Sequence, residues 1–433
     1  SYVHLTPKGG SLWGCCPFHN EKTPSFHVVP ERQIYKCFGC GKGGGVISFI
    51  MEMENLSFPD AVRLLAQRAG LEVPDTGTDE AGRKKRARVL EANKQAARFY
   101  YNYLNSPGGQ RVRDYIAQRQ ISHRYAVRFG LGAAPDSWDE LTKALTAQGF
   151  SKMELIDAGL AVAGKNGGVY DKFRARLMLP VIDVRGDVVG FTSRILPGEE
   201  GAKYLNTPET MVFHKGRLIY ALNLAKNTKR PNLVLVEGNI DVITLHQAGF
   251  DNVVATCGTA FGEEHAKIVR RLISDDSLGG VQLTGPLRVE GEPLSSRIVF
   301  TFDGDAAGQK AALHAFGLDS SFQTQTFVAV ADNNLDPCDL RIERGDDALR
   351  ALVVNARPLY DFVIDVAIGK FDTQYGTGQM GAVKAVAPLI ARIKDKSLLD
   401  LYTRKAARRI GIDLTILQRE VQSARRAQHV PNE

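Results

Sequence analysis

Residues 298–308 read IVFTFDGDAAG. Ile298, Val299, Phe300, Thr301 and Phe302 form a short apolar and β-branched run, the pattern of a buried strand in a parallel sheet. Gly304, Ala306, Ala307 and Gly308 are small enough for a tight turn into a helix. Asp303 and Asp305 therefore fall at the carboxyl end of a strand, where open α/β sheets hold their ligands. Two carboxylates so close repel each other unless a cation neutralises them, and oxygen-only ligands select Mg²⁺ or Mn²⁺.

The pattern recurs on both sides. Leu233, Val234, Leu235 and Val236 lead to Glu237-Gly238 and then to an amphipathic run over residues 240–248 that carries Asp241. Phe327, Val328, Ala329 and Val330 lead into ADNNLDPCDL, with Asp332, Asp336 and Asp339. A solvated loop or a helix cap accounts for any one such acid. Three acidic strand ends on one edge call for a metal.

These segments, EG…D, then DGDxAG, then an acidic loop containing DP, resemble the Toprim domain shared by primases, type IA topoisomerases and some nucleases. The resemblance implies catalytic roles for Glu237, Asp303 and Asp305, with Asp241 and Asp336 as further ligands of Mg²⁺ or Mn²⁺. Glu237 acting as a general base is left open. Two positions depart from the family: Asn239 stands where EGYMD has Tyr, and Cys338 stands at the second acid of DPD, displacing Asp339 by one. Cys257 and Cys338 read as inert packing or loop thiols.

A chain of 433 residues with 44% hydrophobic and 24% charged residues is long enough for two or three globular domains. No apolar run is long enough to span a membrane. The net charge of +7, with clustered Lys and Arg, favours a polyanionic partner. The sequence starts at Ser1 without a signal-like segment, which reads as a fragment rather than a precursor.

Four of the six cysteines lie close together near the N-terminus. Cys16 and His19 form a C-x2-H pair, and Cys37 and Cys40 a C-x2-C pair, with seventeen residues between the pairs. Each pair spans a turn that aims two ligands at one point, and this donor set suits a closed, structural, tetrahedral Zn²⁺ site. Cys15 and His27 are the competing ligands. Alternation over residues 25–29 and 34–36 predicts a hairpin, hence a zinc ribbon. CPFHNEKTPSF, KCFGCGKGGGVISFI and SFPDAVRLLAQRAGLEVP resemble the zinc-binding domain of bacterial DNA primases. That resemblance implies contact with single-stranded template, with Lys22, Lys36, Lys42, Phe26, Tyr35 and Phe38 as sources of phosphate contacts and stacking faces; Phe26 and Phe38 serve equally well as ribbon core.

PDTGTDEAGRK, residues 74–84, has no apolar period and reads as a linker. Helical spacing follows over residues 87–104 and 110–118. YDKFRARLMLPV, GDVVGFTSRIL and AKYLNTPETMVFHKGRLIYAL then resemble the N-terminal subdomain of the primase polymerase core, whose patterns are near YDRFRNRIMFPI, GFGGR and KYLNSPET. This implies template or nucleotide contacts from Arg174, Arg176, Arg194, Lys203 and Lys215, since phosphates call for such cations. Residues 277–297 read as an inserted loop.

The expected fold is multidomain α+β. It comprises a zinc ribbon (1–73), a linker (74–84), a mixed α/β polymerase subdomain (85–230), a parallel-sheet Toprim domain (231–355), a helical bundle (356–425) and a tail (426–433). The resemblance implies a bacterial replicative primase that makes short RNA primers on single-stranded DNA from ribonucleoside triphosphates, leaving an RNA–DNA hybrid. It is expected to be a monomer in the bacterial cytoplasm at the replication fork. Because the sequence stops at Glu433, the family's helicase-binding domain is expected to be absent. A topoisomerase would need a nucleophilic tyrosine in a large domain after Toprim, and Tyr360, Tyr375 and Tyr402 read as packing or surface residues instead. A non-catalytic descendant would have lost acids that are all present here.

Overall fold

The computed structural model describes residues 2–428 apart from 20, 22, 55, 57, 72–79, 165–166, 229, 231, 275–287, 290–291, 294–296, 303–311, 313–315, 317–324, 332–334 and 394. The chain divides into two compact units, one holding residues 1–84 and the other residues 85–273 and 285–433.

The first unit is a five-stranded antiparallel sheet in sequential order, followed by two helices, Val46–Glu54 and Phe58–Ala69. Its strands are β1 (Thr6–Lys8), β2 (Ser11–Gly14), β3 (Phe26–Val29), β4 (Ile34–Cys37) and β5 (Gly43–Gly45). So small a sheet has few apolar residues to bury. Its core is Phe26 and Tyr35 stacked at 5.1 Å between ring centres, closed by Phe18 and Phe49. Phe26 and Tyr35 are therefore core, whereas Phe38 is 62% exposed.

The helix Glu80–Leu104 begins in the last residues of the first unit, and its part from Lys85 on belongs to the second. Helix thus begins inside the stretch expected to be a linker, since Glu80, Ala81 and the Arg/Lys run behind them are good helix formers apart from Gly82. Two strands, β7 (Ala161–Ala163) and β8 (Val169–Asp171), form a hairpin. The antiparallel sheet beside it runs β11 (Tyr204–Asn206), β10 (Val188–Ile195), β9 (Arg176–Ile182), β6 (Gly132–Ala134). Buried Asp171 accepts from the backbone N–H groups of Leu141 and Thr142 at 2.8 and 2.9 Å, capping the helix Glu140–Ala147 across the fold.

A six-stranded sheet holds the acidic strand ends. Its order is β12 (Ile219–Tyr220), β14 (Val253–Thr256), β13 (Asn232–Val236), β17 (Arg297–Phe302), β18 (Gln325–Val330), β19 (Arg357–Pro358); the hairpin β15 (Arg288–Val289) and β16 (Glu292–Pro293) lies outside it. The four central strands are parallel and the two edges antiparallel. Leu235 sits opposite Phe300 and Phe302 opposite Val330, so the carboxyl ends of β13, β17 and β18 are neighbours. One face packs into the core shared with the preceding antiparallel sheet, the other against the helix Leu359–Ile368.

Two expectations change here. The helix Asn239–Gln247 is not amphipathic: Asn239 through His246 are all buried, because it lies wedged between the sheet and the helix Pro337–Val354. Arg297, expected at the end of an inserted loop, is the buried first residue of β17. The remaining helices, Gly376–Ala391, Lys396–Ile410 and Leu414–Gln428, bury one apolar stripe each in a separate bundle core with the end of Leu359–Ile368.

Candidate active site and metal centre

In the first unit, the turn before β3 and the turn after β4 bring Cys16, His19, Cys37 and Cys40 together, with one ligand atom from each lying within 4.8 Å of the others. The Cys16 and Cys40 sulfurs are 3.8 Å apart, and His19 Nδ1 is 3.7 Å from Cys37 Sγ. Backbone N–H groups of Gly39 and Cys40 point at Cys37 Sγ at 3.3 and 3.4 Å, as around thiolates. Burial pushes the Cys16 thiol up to about 12, so a thiolate there requires a cation beside it.

The competitors Cys15 and His27 are outside this set. His27 instead lies against Trp13, 4.4 Å between ring centres. A supporting residue that the motif did not reveal is Glu21. Its carboxylate meets His19 Nε2 at 3.3 Å and accepts the Cys16 N–H at 2.6 Å, which fixes Nδ1 as the ligand face. Trp13 was also missed; it stacks on Phe38 at 5.9 Å and 17°, with Lys36 over the Phe38 ring at 5.7 Å. Alternation along β2 was the available signal, since it sets Trp13 opposite His27.

In the second unit, Glu237 is exposed at the end of β13, one residue before Gly238. Asp241 is buried in the first turn of the following helix, and its Oδ1 accepts the Cys338 N–H at 3.3 Å. A Cβ on Gly238 would overlap Asp241 Oδ2 and approach the Tyr204 hydroxyl to 3.6 Å, so a larger residue there would displace that carboxylate. Asp336 caps the helix Pro337–Val354, accepting the Asp339 N–H at 2.7 Å. Asp339 pairs with Arg119 at 2.8 Å. Asp303 and Asp305, like Asp332, lie outside the described residues; the last described residue before them, Phe302, ends β17 between the other two acidic strands. Among the described residues, only the Cys/His set gathers three or more metal-capable groups within reach of one ion. The all-carboxylate donor chemistry fits a hard divalent cation.

Basic and aromatic groups line the neighbouring sheet. Arg194 and Tyr204 are register partners on β10 and β11, with the guanidinium 5.1 Å from the ring centre. Burial raises the Tyr204 phenol, and nearby Asp241 adds to that shift. Arg194 Nε donates to the Tyr115 hydroxyl at 3.3 Å. Lys203 is exposed; Lys215 is half-buried, and its backbone N–H donates to Glu209 Oε1 at 3.0 Å. Lys172 is half-buried near Lys215, and burial followed by that like charge lowers its pKa. Arg174 stacks 3.8 Å from the ring of exposed Trp138. Arg176 differs from the expectation for a surface cation: it is 8% exposed and donates to the Ala202 carbonyl at 2.9 Å, so it holds the chain before Tyr204. The KYLN segment also reaches Gly258, where a Cβ would overlap the Asn206 amide.

Family profiles match four stretches: a CHC2 zinc finger over residues 1–81, the N-terminal domain of the DNA primase catalytic core over 99–226, a Toprim domain over 232–330, and the DnaB-helicase binding domain of primase over 360–415. A DNA primase of Mycolicibacterium smegmatis is 43% identical over 421 residues, covering 95% of this chain and 64% of that protein. One of Streptomyces coelicolor is 41% identical, covering 93% and 61%. The RNA polymerase domain of Mycobacterium tuberculosis primase, solved with a double-stranded DNA bearing a 6-nucleotide overhang, is 40% identical with a TM-score of 0.63, covering 76% of this chain and 98% of that one.

The chain belongs to the bacterial DNA primases.

Within that family it spans a little under two thirds of the curated relatives' length. The zinc-binding and RNA polymerase domains of Aquifex aeolicus primase, 27% identical with a TM-score of 0.61, extend the likeness over 96% of this chain. The primase assignment overturns one expectation: the helicase-binding region is not absent, because residues 360–415, read as a plain bundle, carry that match. Its apolar stripes are those of any bundle, so periodicity gave no hint of it. Among the described residues no helix is long and apolar enough to cross a membrane.

Proposed function

We propose that this chain synthesises short RNA primers on single-stranded DNA from ribonucleoside triphosphates. The observation that carries the reading is the row of adjacent carboxyl ends of β13, β17 and β18, with Glu237 following β13 and buried Asp241 near Tyr204, the register partner of Arg194. Glu237, Asp303 and Asp305, with Asp241 and Asp336, would hold Mg²⁺ or Mn²⁺. The bound metal would supply charge neutralisation and activation of the attacking hydroxyl. Phosphoryl transfer asks for positioning and electrostatics more than covalent chemistry from the protein. Arg194, Lys203, Lys215 and Lys172 would hold triphosphate or template phosphates, Tyr204 would keep Arg194 aimed along the groove, and Arg174 on Trp138 offers a flat cation for a base or phosphate.

Cys16, His19, Cys37 and Cys40 would hold a structural Zn²⁺. The Trp13–Phe38 stack with Lys36 would present the ribbon's base-stacking face to template. The 360–415 match supports contact with a replicative helicase, at the fork in a bacterial cytoplasm.

Incubation with single-stranded DNA, labelled ribonucleotides and Mg²⁺ or Mn²⁺ tests the reading. Short RNA products are expected, and Asp305→Asn should cut synthesis by at least about a hundredfold with single-strand binding kept. Absence of RNA from the native chain, or equal loss of folding in the variant, would overturn it.

A further inference from the structure

One turn of the polymerase subdomain touches both helices that carry the candidate acids. Arg119 follows the helix Gln110–Gln118, and Gln120 after it has a left-handed backbone, φ 52°. This residue turns the chain between the helices Gln110–Gln118 and His123–Arg128, and its carbonyl faces the helices of the six-stranded sheet. It accepts from Gln247 Nε2 at 2.8 Å and from Arg341 Nη1 at 3.1 Å. Gln247 ends the helix that bears Asp241, and Arg341 belongs to the helix capped by Asp336. Gln247 Oε1 also accepts the Ser122 N–H at 2.8 Å. On the same turn, Arg119 meets Asp339 at 2.8 Å and Cys338 Sγ at 3.8 Å, while Cys338 N–H holds Asp241. Buried Ile121 anchors the turn in the core.

We infer that residues 119–122 are a brace that fixes the spacing between Asp241 and Asp336, and so sets the divalent-metal affinity of the acidic site. Arg119 and Gln247 are positioning residues in this scheme. A carboxylate held in place loses less freedom on taking a cation, so supports of this kind are worth about 10–100-fold in metal affinity. The turn belongs to the subdomain whose Arg194 is bonded to Tyr115, and the Arg119 guanidinium lies 5.5 Å from that Tyr115 ring. Arg194 and the two acid-bearing helices are thus all tied to the stretch 115–122. The inference rests on the metal role given to the acids above.

Electrostatics alone would give the opposite sign. Removing a cation beside an acidic site strengthens cation binding, so Arg119→Gln would tighten it were Arg119 merely a nearby charge. The brace requires weakening. Mn²⁺ binding to the full chain, read by electron paramagnetic resonance of the free ion, separates the two. Arg119→Gln, Gln247→Leu and the shorter Gln247→Asn should each weaken Mn²⁺ about tenfold, with metal-free melting and far-ultraviolet circular dichroism close to the parent and kcat recovering at saturating Mn²⁺. Unchanged or tighter binding in these variants, alongside weakened binding in Asp305→Asn, would overturn the brace. If Asp305→Asn leaves Mn²⁺ binding unchanged, it is the acid-site reading that fails.

Discussion

The zinc ribbon and the acidic sheet edge assemble metal-capable groups in opposite ways. The ribbon takes four ligands from two short turns, with only seventeen residues between the pairs, and supports them from within: Glu21 on His19, backbone N–H groups on Cys37. The acidic edge draws on strand ends and helices separated by about a hundred residues, and its supports come from another subdomain through Arg119 and Gln247. A local site needs only its own hairpin, whereas a distributed one requires the whole parallel sheet in register. Disturbance should therefore reach the two sites by different routes.

The largest effect separating them is expected from Cys37→Ser. Elemental analysis should show zinc lost and the ribbon's protease resistance gone, because folding and metal binding are one equilibrium in so small a core. Mn²⁺ binding at the sheet edge should persist. Retained zinc would break the assignment of Cys37.

Acid should loosen the sheet edge first. His246 lies 2% exposed on the helix of Asp241, donates from Nε2 to the Val253 carbonyl at 3.0 Å, and is held by burial to about 4 from an ordinary 6.5. The unfolded chain takes up this proton near 6.5 while the folded chain refuses it until about 4, so stability is lost as pH falls through that window. The loss should approach 3 kcal/mol, an order-of-magnitude figure at about 1.4 kcal/mol per pH unit. Chemical denaturation of the second unit between pH 7 and 4 measures it, and His246→Leu should flatten the slope.

Gly238→Ala sharpens the comparison further. Its φ of −103° suits alanine, so the cost comes from the overlap with Asp241 alone. About 2 kcal/mol of stability should go, together with Mn²⁺ affinity; a variant with parent-like binding would mean that Asp241 moves freely. The smallest effect belongs to the ribbon surface. Phe38→Ala should weaken single-strand binding by about 1 kcal/mol, the loss of one stacking face, without changing zinc content.

Legibility followed the same division. The zinc set was readable because ligand chemistry and spacing are both local. The alternation of β3 and β4, the helices Phe58–Ala69 and Gln110–Gln118, and the three apolar runs before the acids were readable for the same reason. What failed were statements about surroundings. The run 240–248, carrying Asp241, read as amphipathic, yet the fold buries Asp241, Thr244 and His246 alike. Arg176 read as a phosphate cation, and the structure closes it onto the Ala202 carbonyl.

By itself, then, the sequence determined which residue types carry the chemistry and where each strand and its acid fall, since backbone periodicity and ligand spacing are properties of a few consecutive residues. Only the tertiary structure decided which helices are sealed on every side and that the 119–122 turn grips two helices at once. Those facts depend on burial and on hydrogen bonds between segments more than a hundred residues apart, and no local pattern encodes such distances.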